Sequence, residues 1–543
     1  MQILKSVMLL VLLVIVVTVF GQRTVGLTNY TPAVSEGYLL FAPFNFNETY
    51  LIDPCGDLVQ EWQHTESLGT ASELLPNGNL LRTERMVSAV NGAGVGGRFI
   101  EVDWDGRTVR SIELASDQLH AHHDFTVLPN GNLLVILWEV HDRADAISQG
   151  ANEALLDSLI WSERVIELAP TANSWSEVWR WRVWDHLVQD HSSTASNFGV
   201  VSENPRRLDL NMRGQYVDAN LDWLHFNSVT VTPDGKQVIL SARSTNEVYI
   251  IDHTTTTAEA ASSTGGEFGL GGDLLYRYGN DHNYAENVTE PRPLYGQHDA
   301  RIAVSGPNEG SFSVFNNGVN RPGGEFTSIY RWVPRFDFAG DYLLENNVFP
   351  APLEEEELPL DVSLYSSILS SAQPMETGGY VVNVGRLGAF FEFDRSGEEL
   401  WRYVSPVGTS GPVRQGLRPT GSTIFQVVHY PVDDPRLAGK NLTPEVPIEL
   451  DPVISLCLLV GVADAPLQSI SVFPNPTKAS LTIVDAPAEA KYAQVSDAQG
   501  RVVLRQLIAA GEVDLSSIAA GLYSLSLMDN AGRMLATVRV SKS

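Results

Sequence analysis

Cysteine is almost absent: Cys55 and Cys457 are the only two in 543 residues. That excludes a disulfide-dense scaffold and a Cys-rich metal centre, and leaves open one long-range bridge or two core thiols. Neither a Cys-x-x-Cys nor a His-Glu-x-x-His pattern occurs. Basic charge is scarce as well. Sixty-five acidic against 36 basic residues give a formal net charge of −29, which argues against nucleic acid or an anionic membrane surface as the main partner. An anionic ligand must then be held by local cations against an unfavourable overall field. A run long enough to cross a bilayer is missing too. The apolar stretch Val7 to Phe20 covers about 14 residues, where a span needs roughly 20. Preceded by Lys5 and followed by Gly21, it predicts a cleaved secretory signal over residues 1–21 and no stable transmembrane anchor, with an uncleaved membrane anchor as the competing reading. Through the middle of the chain no 3.6-residue periodicity is sustained, so a parallel sheet with crossover helices is not expected.

What is present instead is a repeat. A strand-turn-strand pattern recurs at Glu73–Leu81 (ELLPNGNLL), Thr126–Ile136 (TVLPNGNLLVI), Val231–Leu240 (VTPDGKQVIL) and, more loosely, Met375–Val384 (METGGYVVNV). Between these lie apolar strands that end in an acidic turn and lead to an aromatic, as in YLIDPCGDLVQEW, FIEVDWDGRTVRSIEL and FFEFDRSGEELWRYV. Each pair of patterns supplies about four short antiparallel strands, and a lone four-stranded sheet leaves one face bare. About six such units fit between Gly37 and Val407, counting Gln297–Pro334 as a drifted one. The fold class is therefore all-β, a six-bladed β-propeller. Leu187–Leu221 and the acidic run Glu354–Glu357 are expected as tip loops, the latter a solvated turn. Trp62, Trp179, Trp181 and Trp401 fall at equivalent outer strands and are expected to pack between blades. After Val460 the composition changes to short alternating strands with Gly turns, enough for a small β-sandwich. The expected organisation is a signal over 1–21, the propeller over 22–461, a linker over 462–469 and the sandwich over 470–543.

Three of the strand-turn-strand units begin with histidines: His120-Ala121-His122-His123-Asp124, Leu224-His225-Phe226-Asn227 and Gln297-His298-Asp299. In a propeller the starts of the inner strands line the mouth of the central channel, so these side chains are expected to converge there. His225 and Asn227, two apart on an extended chain, are expected to share a face, with Arg243 at the same end of the hairpin. Imidazoles, an amide donor and a fixed cation suit an anionic, oxygen-rich group. Metal binding through His120, His122 and Asp124 is the rival reading, but Asn227 and Arg243 are poor company for a cation. The glycine-rich Asn91–Gly97 precedes a strand, not a helix, and reads as a flexible blade connection.

HHDFTVLPNGN, DWLHFNSV with SAR beyond it, and QHDAR, in this order, resemble the arylsulfate sulfotransferase family, and the likeness runs roughly from Gly37 to Leu442. The resemblance implies a six-bladed propeller that moves a sulfuryl group between phenols without a nucleotide sulfate donor, a cofactor or a metal. It implies His298 as nucleophile, and His225, Arg243 and either His123 or His122 as holders of the sulfate oxygens, with Asn227 as a further donor. The repeat register pairs His123 with Asn227 and favours His123. The chemistry agrees: a sulfuryl group carries charge on three peripheral oxygens and needs surrounding donors, while an imidazole of reference pKa about 6.5 is largely neutral and nucleophilic near pH 7. The implied partners are an aryl sulfate donor and a phenolic acceptor. A non-enzymatic surface propeller that binds sulfated or phenolic ligands, and a histidine-dependent lyase or hydrolase, are the alternatives. The C-terminal stretch, with Phe473-Pro474-Asn475-Pro476, Asp497, Gly500-Arg501, Ala520-Gly521-Leu522-Tyr523 and a terminal Lys542-Ser543, resembles the type A sorting domain of the type IX secretion system. That implies delivery across the outer membrane, to the cell surface or the medium, by the type IX machinery.

Overall fold

Runs of β-branched and aromatic residues broken every few positions by Asn-Gly, Asp-Gly or Gly-Gly can only make short antiparallel strands, and the computed structural model contains six sheets of that kind. It describes residues 23–44, 46–212, 221–453, 455–457, 470–497, 501–508, 511–530 and 534–543; the expected signal segment and the linker at 462–469 lie outside them. In blades 2 to 5 the four strands follow chain order from the channel outward. Blade 2 comprises Leu68–Leu74, Leu80–Arg85, Gly97–Val102 and Thr108–Glu113, and blade 3 Leu119–Val127, Leu133–Asp142, Leu159–Pro170 and Trp175–Arg182. Blade 4 comprises Phe226–Val231, Gln237–Ala242, Glu247–Asp252 and Tyr276–Tyr278. Blade 5 comprises His298–Ile302, Phe312–Asn316, Ser328–Val333 and Glu354–Pro359.

The remaining two blades close the ring. Blade 6 is Ser371–Pro374, Tyr380–Val384, Ala389–Phe393 and Glu399–Val404, with the N-terminal strand Gly26–Tyr30 added on its outer edge. Blade 1 takes its innermost strand, Ile424–Tyr430, from the far end of the chain and its other three, Tyr38–Pro43, Glu48–Ile52 and Leu58–Gln63, from the start. That closing strand lies beyond the Val407 at which the sequence repeat was expected to end. The inner strands neighbour one another all the way round, blade 1 to 2 and on to 6 and back to 1.

Strand alternation fills the gaps between blades. In Gln237–Ala242, Val238 and Leu240 pack toward blade 3 while Ile239 packs toward blade 5, the period of two at work. Six buried apolar clusters result, one in each gap. Trp62, Trp179, Trp181 and Trp401 are all buried in outer strands, as the repeat implied. The bond between Cys55 and Cys457, with Cα atoms 5.6 Å apart, lies in the cluster between blades 6 and 1 and settles the choice the sequence left open.

One expectation fails. Glu354–Glu357 is not a loop but the start of the outermost strand of blade 5, paired along Ser328–Val333. Its carboxylates find partners on both sides: Arg331 binds Glu354 and Glu356, Arg321 binds Glu357, and the Tyr330 hydroxyl donates to Glu355. Of the expected tip loop Leu187–Leu221, the described residues 187–212 are largely irregular, with a two-residue parallel pairing of Leu187–Val188 and Leu208–Asp209, and Leu208 and Leu210 tuck into the core between blades 3 and 4. The C-terminal strands form a three-stranded and a four-stranded antiparallel sheet around a core that includes Leu481, Val495, Leu525 and Val540. Among the described residues no helix is long and apolar enough to cross a membrane.

Candidate active site

The histidine motifs sit where the inner strands of blades 3, 4 and 5 begin, and each of these strands is bulged there. In or just before these bulges stand non-glycine residues in left-handed backbone: His123 at φ 51°, His225 at φ 54° and Asp299 at φ 55°. Such geometry costs about 1–3 kcal/mol per residue and persists only where the surroundings fix it. Hydrogen bonds between neighbouring inner strands do the fixing. A side chain of one blade accepts from a backbone N–H of the next: Asp124 from Val229 at 3.1 Å, Ser228 from Ala300 at 2.9 Å, Asp299 from Ala372 at 2.7 Å and Ser371 from Val427 at 3.3 Å.

His298 is 3% exposed, and its Nδ1 lies 2.7 Å from Asn317 Oδ1. The Asn317 amide nitrogen donates to the carbonyls of Ser366 and Leu369 at 2.8 and 3.1 Å. Two carbonyls can be satisfied only by the NH2 end, so Oδ1 must be the atom facing the ring. His298 therefore carries its proton on Nδ1 and its lone pair on Nε2. Burial first, then the neighbouring Arg243 guanidinium, push it down to about 3 against the Asn317 hydrogen bond, so the ring is neutral.

His225 is the more open imidazole. Its Nδ1 meets Asp222 Oδ2 at 2.5 Å, and Asp222 Oδ1 accepts from Trp138 Nε1 at 3.1 Å. Burial works to raise Asp222, yet the His225 ring and the Trp138 donor hold it below the usual carboxylate range. The His225 ring meets that of His123 edge to face, centroids 4.6 Å apart. Arg243, whose N–H donates to the His225 carbonyl at 3.1 Å, is within electrostatic reach of both His123 and His298. Residues from three blades thus gather in one place, with Arg243 as their cation.

His122 and Asn227 depart from expectation. Both ring nitrogens of His122 are engaged, Nε2 with Glu163 at 2.8 Å and Nδ1 with His123 Nδ1 at 2.8 Å, while its face stacks on Trp138 at 4.0 Å. It stands behind His123, which is the one that faces His225. The repeat register does pair His123 with Asn227, since Asp124 and Ser228 make equivalent interstrand bonds. But His225, bent into left-handed backbone, does not share an extended face with Asn227. The Asn227 amide is fully buried and donates to the Gln297 carbonyl at 2.8 Å, tying blade 4 to blade 5. The metal alternative loses its ligands similarly. His120 bonds to Ser88 at 2.7 Å and lies 3.3 Å from the Gly96 carbonyl, and Asp124 is spent on Val229. Among the described residues no group of three or more His, Cys, Asp or Glu side chains could hold a metal ion.

Asn91–Gly97 connects the second and third strands of blade 2 and brings backbone close to His123. Gly94, at φ 82°, accepts from the His123 N–H, and a Cβ there would fall 2.2 Å from the His123 ring. Sequence reasoning also missed Asn317, hidden in an Asn-Asn-Gly turn, together with Asp222 and Glu163. The one available signal was the acidic residue three places before His225.

The model of the arylsulfotransferase (ASST) family matches residues 32–331, more than half of the chain. The chain belongs to the arylsulfotransferase family. Its function is accordingly of the sulfotransferase type. The matched stretch of this arylsulfotransferase holds His123, His225, Arg243, His298 and Asn317, whereas the Ser366–Ser370 segment that Asn317 supports lies beyond it. A secretion system C-terminal sorting domain matches residues 471–540, and as a type IX signal it makes the arylsulfotransferase an exported protein of the cell surface or medium. No curated protein matches the chain. Similar solved structures include a protein of unknown function from Bacteroides caccae, 11% identical over 73% of this chain and 99% of that one, with a TM-score of 0.39. The periplasmic gluconolactonase PpgL of Pseudomonas aeruginosa is 14% identical over 68% and 97%, with a TM-score of 0.34. Likeness at that level carries no argument, and the fold rests on this chain's own strand order.

Proposed function

We propose that the protein transfers a sulfuryl group from an aryl sulfate ester to a phenol in two steps through His298. The observation that carries this reading is the Asn317 contact, which leaves Nε2 of a buried, neutral imidazole as the nucleophile. In the first step the Nε2 lone pair forms a bond to sulfur while the sulfur–oxygen bond to the aryl group breaks, and the phenolate leaves with the electron pair. In the second, the oxygen of an acceptor phenol attacks the same sulfur and the sulfur–nitrogen bond breaks. The acceptor's proton ends on the released phenolate or in solvent, and His298 regains its lone pair. A phenolate, whose conjugate acid has a pKa of about 10, leaves far more readily than an alkoxide, which suits an aryl donor. Arg243, His225 and His123 hold the three peripheral oxygens, where charge must be stabilised throughout. The result is ping-pong kinetics through a sulfohistidine.

Purified protein given 4-nitrophenyl sulfate and phenol is expected to release nitrophenolate in step with appearance of phenyl sulfate. His298→Asn is expected to abolish both products. Ligand binding without turnover, equally tolerant of His298→Asn, would instead identify a recognition surface, and release of inorganic sulfate without an acceptor would identify a hydrolase.

A further inference from the structure

We propose that Glu163 is a positioning residue that keeps its proton in the working site and, through His122, fixes His123 as a hydrogen-bond donor at Nε2. Its purpose rests on the sulfuryl-transfer reading above; its geometry does not. Glu163 is fully buried in Leu159–Pro170, the third strand from the channel in blade 3. Its Oε1 accepts the Phe226 N–H at 2.8 Å and its Oε2 lies 2.8 Å from His122 Nε2. The line continues through His122 Nδ1 to His123 Nδ1, 2.8 Å away. Two facing Nδ1 atoms at that distance share one proton, and which ring owns it is decided at the far end of the line.

If the Glu163–His122 pair lacks its second proton, His122 Nε2–H points to an ionised Glu163, and its bare Nδ1 accepts from His123. His123 then turns a lone pair, not a proton, on the oxygens of an anion. If the pair keeps that proton, Glu163 O–H donates to His122 Nε2, His122 Nδ1–H donates to His123 Nδ1, and His123 Nε2 carries the hydrogen the oxygens require. The charged groups around the line favour the second arrangement. Glu163 and Asp222 lie together in the same buried region, facing His122 and His225, and two adjacent carboxylates do not both ionise readily there. Asp222 has two donors, the His225 ring and the Trp138 indole, whereas Glu163 has one backbone N–H. Burial, then the Asp222 charge, hold Glu163 well above the usual carboxylate range. Toward the site, His123 faces His225, His298 and Arg243, and burial together with these neighbours keeps its ring neutral.

Glu163→Gln separates this role from simple packing, because the glutamine can accept from Phe226 and donate to His122 with a proton that does not titrate. In the full chain, Glu163→Gln is expected to keep kcat/KM on 4-nitrophenyl sulfate and phenol within about threefold and to lose the alkaline fall that removal of the Glu163 proton imposes on the wild type. Glu163→Ala is expected to lower kcat/KM by about 100-fold. Nitrogen-15 imidazole spectra of the wild-type protein, which need no turnover, are expected to place the His123 proton on Nε2. A wild-type His123 protonated at Nδ1 overturns the proposal. So does a Glu163→Gln variant that melts like the wild type but is as inactive as Glu163→Ala. Should the wild type fail to turn over an aryl sulfate at all, the spectra still decide the tautomer, so the two readings fail separately.

Discussion

At the scale of single residues, the proposed chemistry depends on which nitrogen of His298 is bare, and Asn317 decides that. An amide held by two carbonyls presents its oxygen as firmly as a backbone group would, without adding charge. Asn317→Ala frees the ring to rotate and to exchange tautomers, and misplacement of a reacting atom by about 1 Å can cost on the order of 100-fold. A drop of that size in the nitrophenolate burst of Asn317→Ala, together with a modest fall in melting temperature from the Ser366 and Leu369 carbonyls left unmet, is the expected outcome. The same burst also reads the protonation of His298. Because burial and Arg243 hold that ring down to about 3, its burst rate should be level from pH 7 to pH 5, where a free imidazole of pKa about 6.5 would lose most of its nucleophile. A His298 imidazole that takes up its second proton near pH 6.5 in nitrogen-15 spectra would contradict that neutral ring. His298, His225, His123 and Arg243 could be picked out from the sequence because strand starts in repeated blades converge by construction. His122 and Asn227 misled because register fixes where the backbone lies, not which neighbour the side chain meets. Asn317 and Glu163 carried no periodic mark at all.

At the scale of elements, the inner strands are held to their neighbours by side chains that reach across to the next blade's N–H, and two of these bonds predict opposite behaviour. Asp299 accepts from Ala372 and also takes the Arg301 Nε at 2.8 Å. Asp299→Ala leaves a buried N–H unmet and a largely buried cation without its nearest partner, and should cost about 2–4 kcal/mol. Asp124 is different, for burial pushes it up to about 8, so it is chiefly protonated at neutral pH and asparagine is a close mimic. Asp124→Asn is expected to cost less than about 1 kcal/mol. Urea titrations of the two variants check the contrast, and equal losses would mean that Asp124 works as an ionised carboxylate. Element type was mostly legible, because turn glycines and alternating apolar residues mark strands wherever a blade is regular. It failed at Glu354–Glu357, which are solvent-exposed as expected but lie in a strand and not a turn, since pairing with Arg331 and Arg321 on the neighbouring strand and loop cannot be seen along one segment.

At the scale of the whole molecule, the ring has to be closed by parts of the chain that meet late. Ile424–Tyr430 completes blade 1 beside Tyr38–Pro43, Gly26–Tyr30 completes blade 6, and the Cys55–Cys457 bond crosses the cluster between them. The repeat pattern could not reveal this, because a strand borrowed from the other end carries no turn signature shared with its sheet partners. An exported protein meets an oxidising exterior in which such a bond persists. The bridge joins residues 402 positions apart, so in the chain-entropy account it removes freedom chiefly from the unfolded chain, by an amount typically about 2–4 kcal/mol. It lies between blades 6 and 1, away from the histidine cluster of blades 3 to 5. Cys55→Ser combined with Cys457→Ser should therefore lower the melting temperature by several degrees and leave kcat/KM unchanged at 25 °C. A reductant should lower the melting temperature of the wild type by a similar amount and leave that of the double variant alone. If the double variant instead lost turnover at a temperature where it remains folded, closure at the blade 6 and blade 1 seam would have to be coupled to the placement of His298. The route for such coupling is visible: Asn317 is anchored on the carbonyls of Ser366 and Leu369, immediately before the inner strand of blade 6.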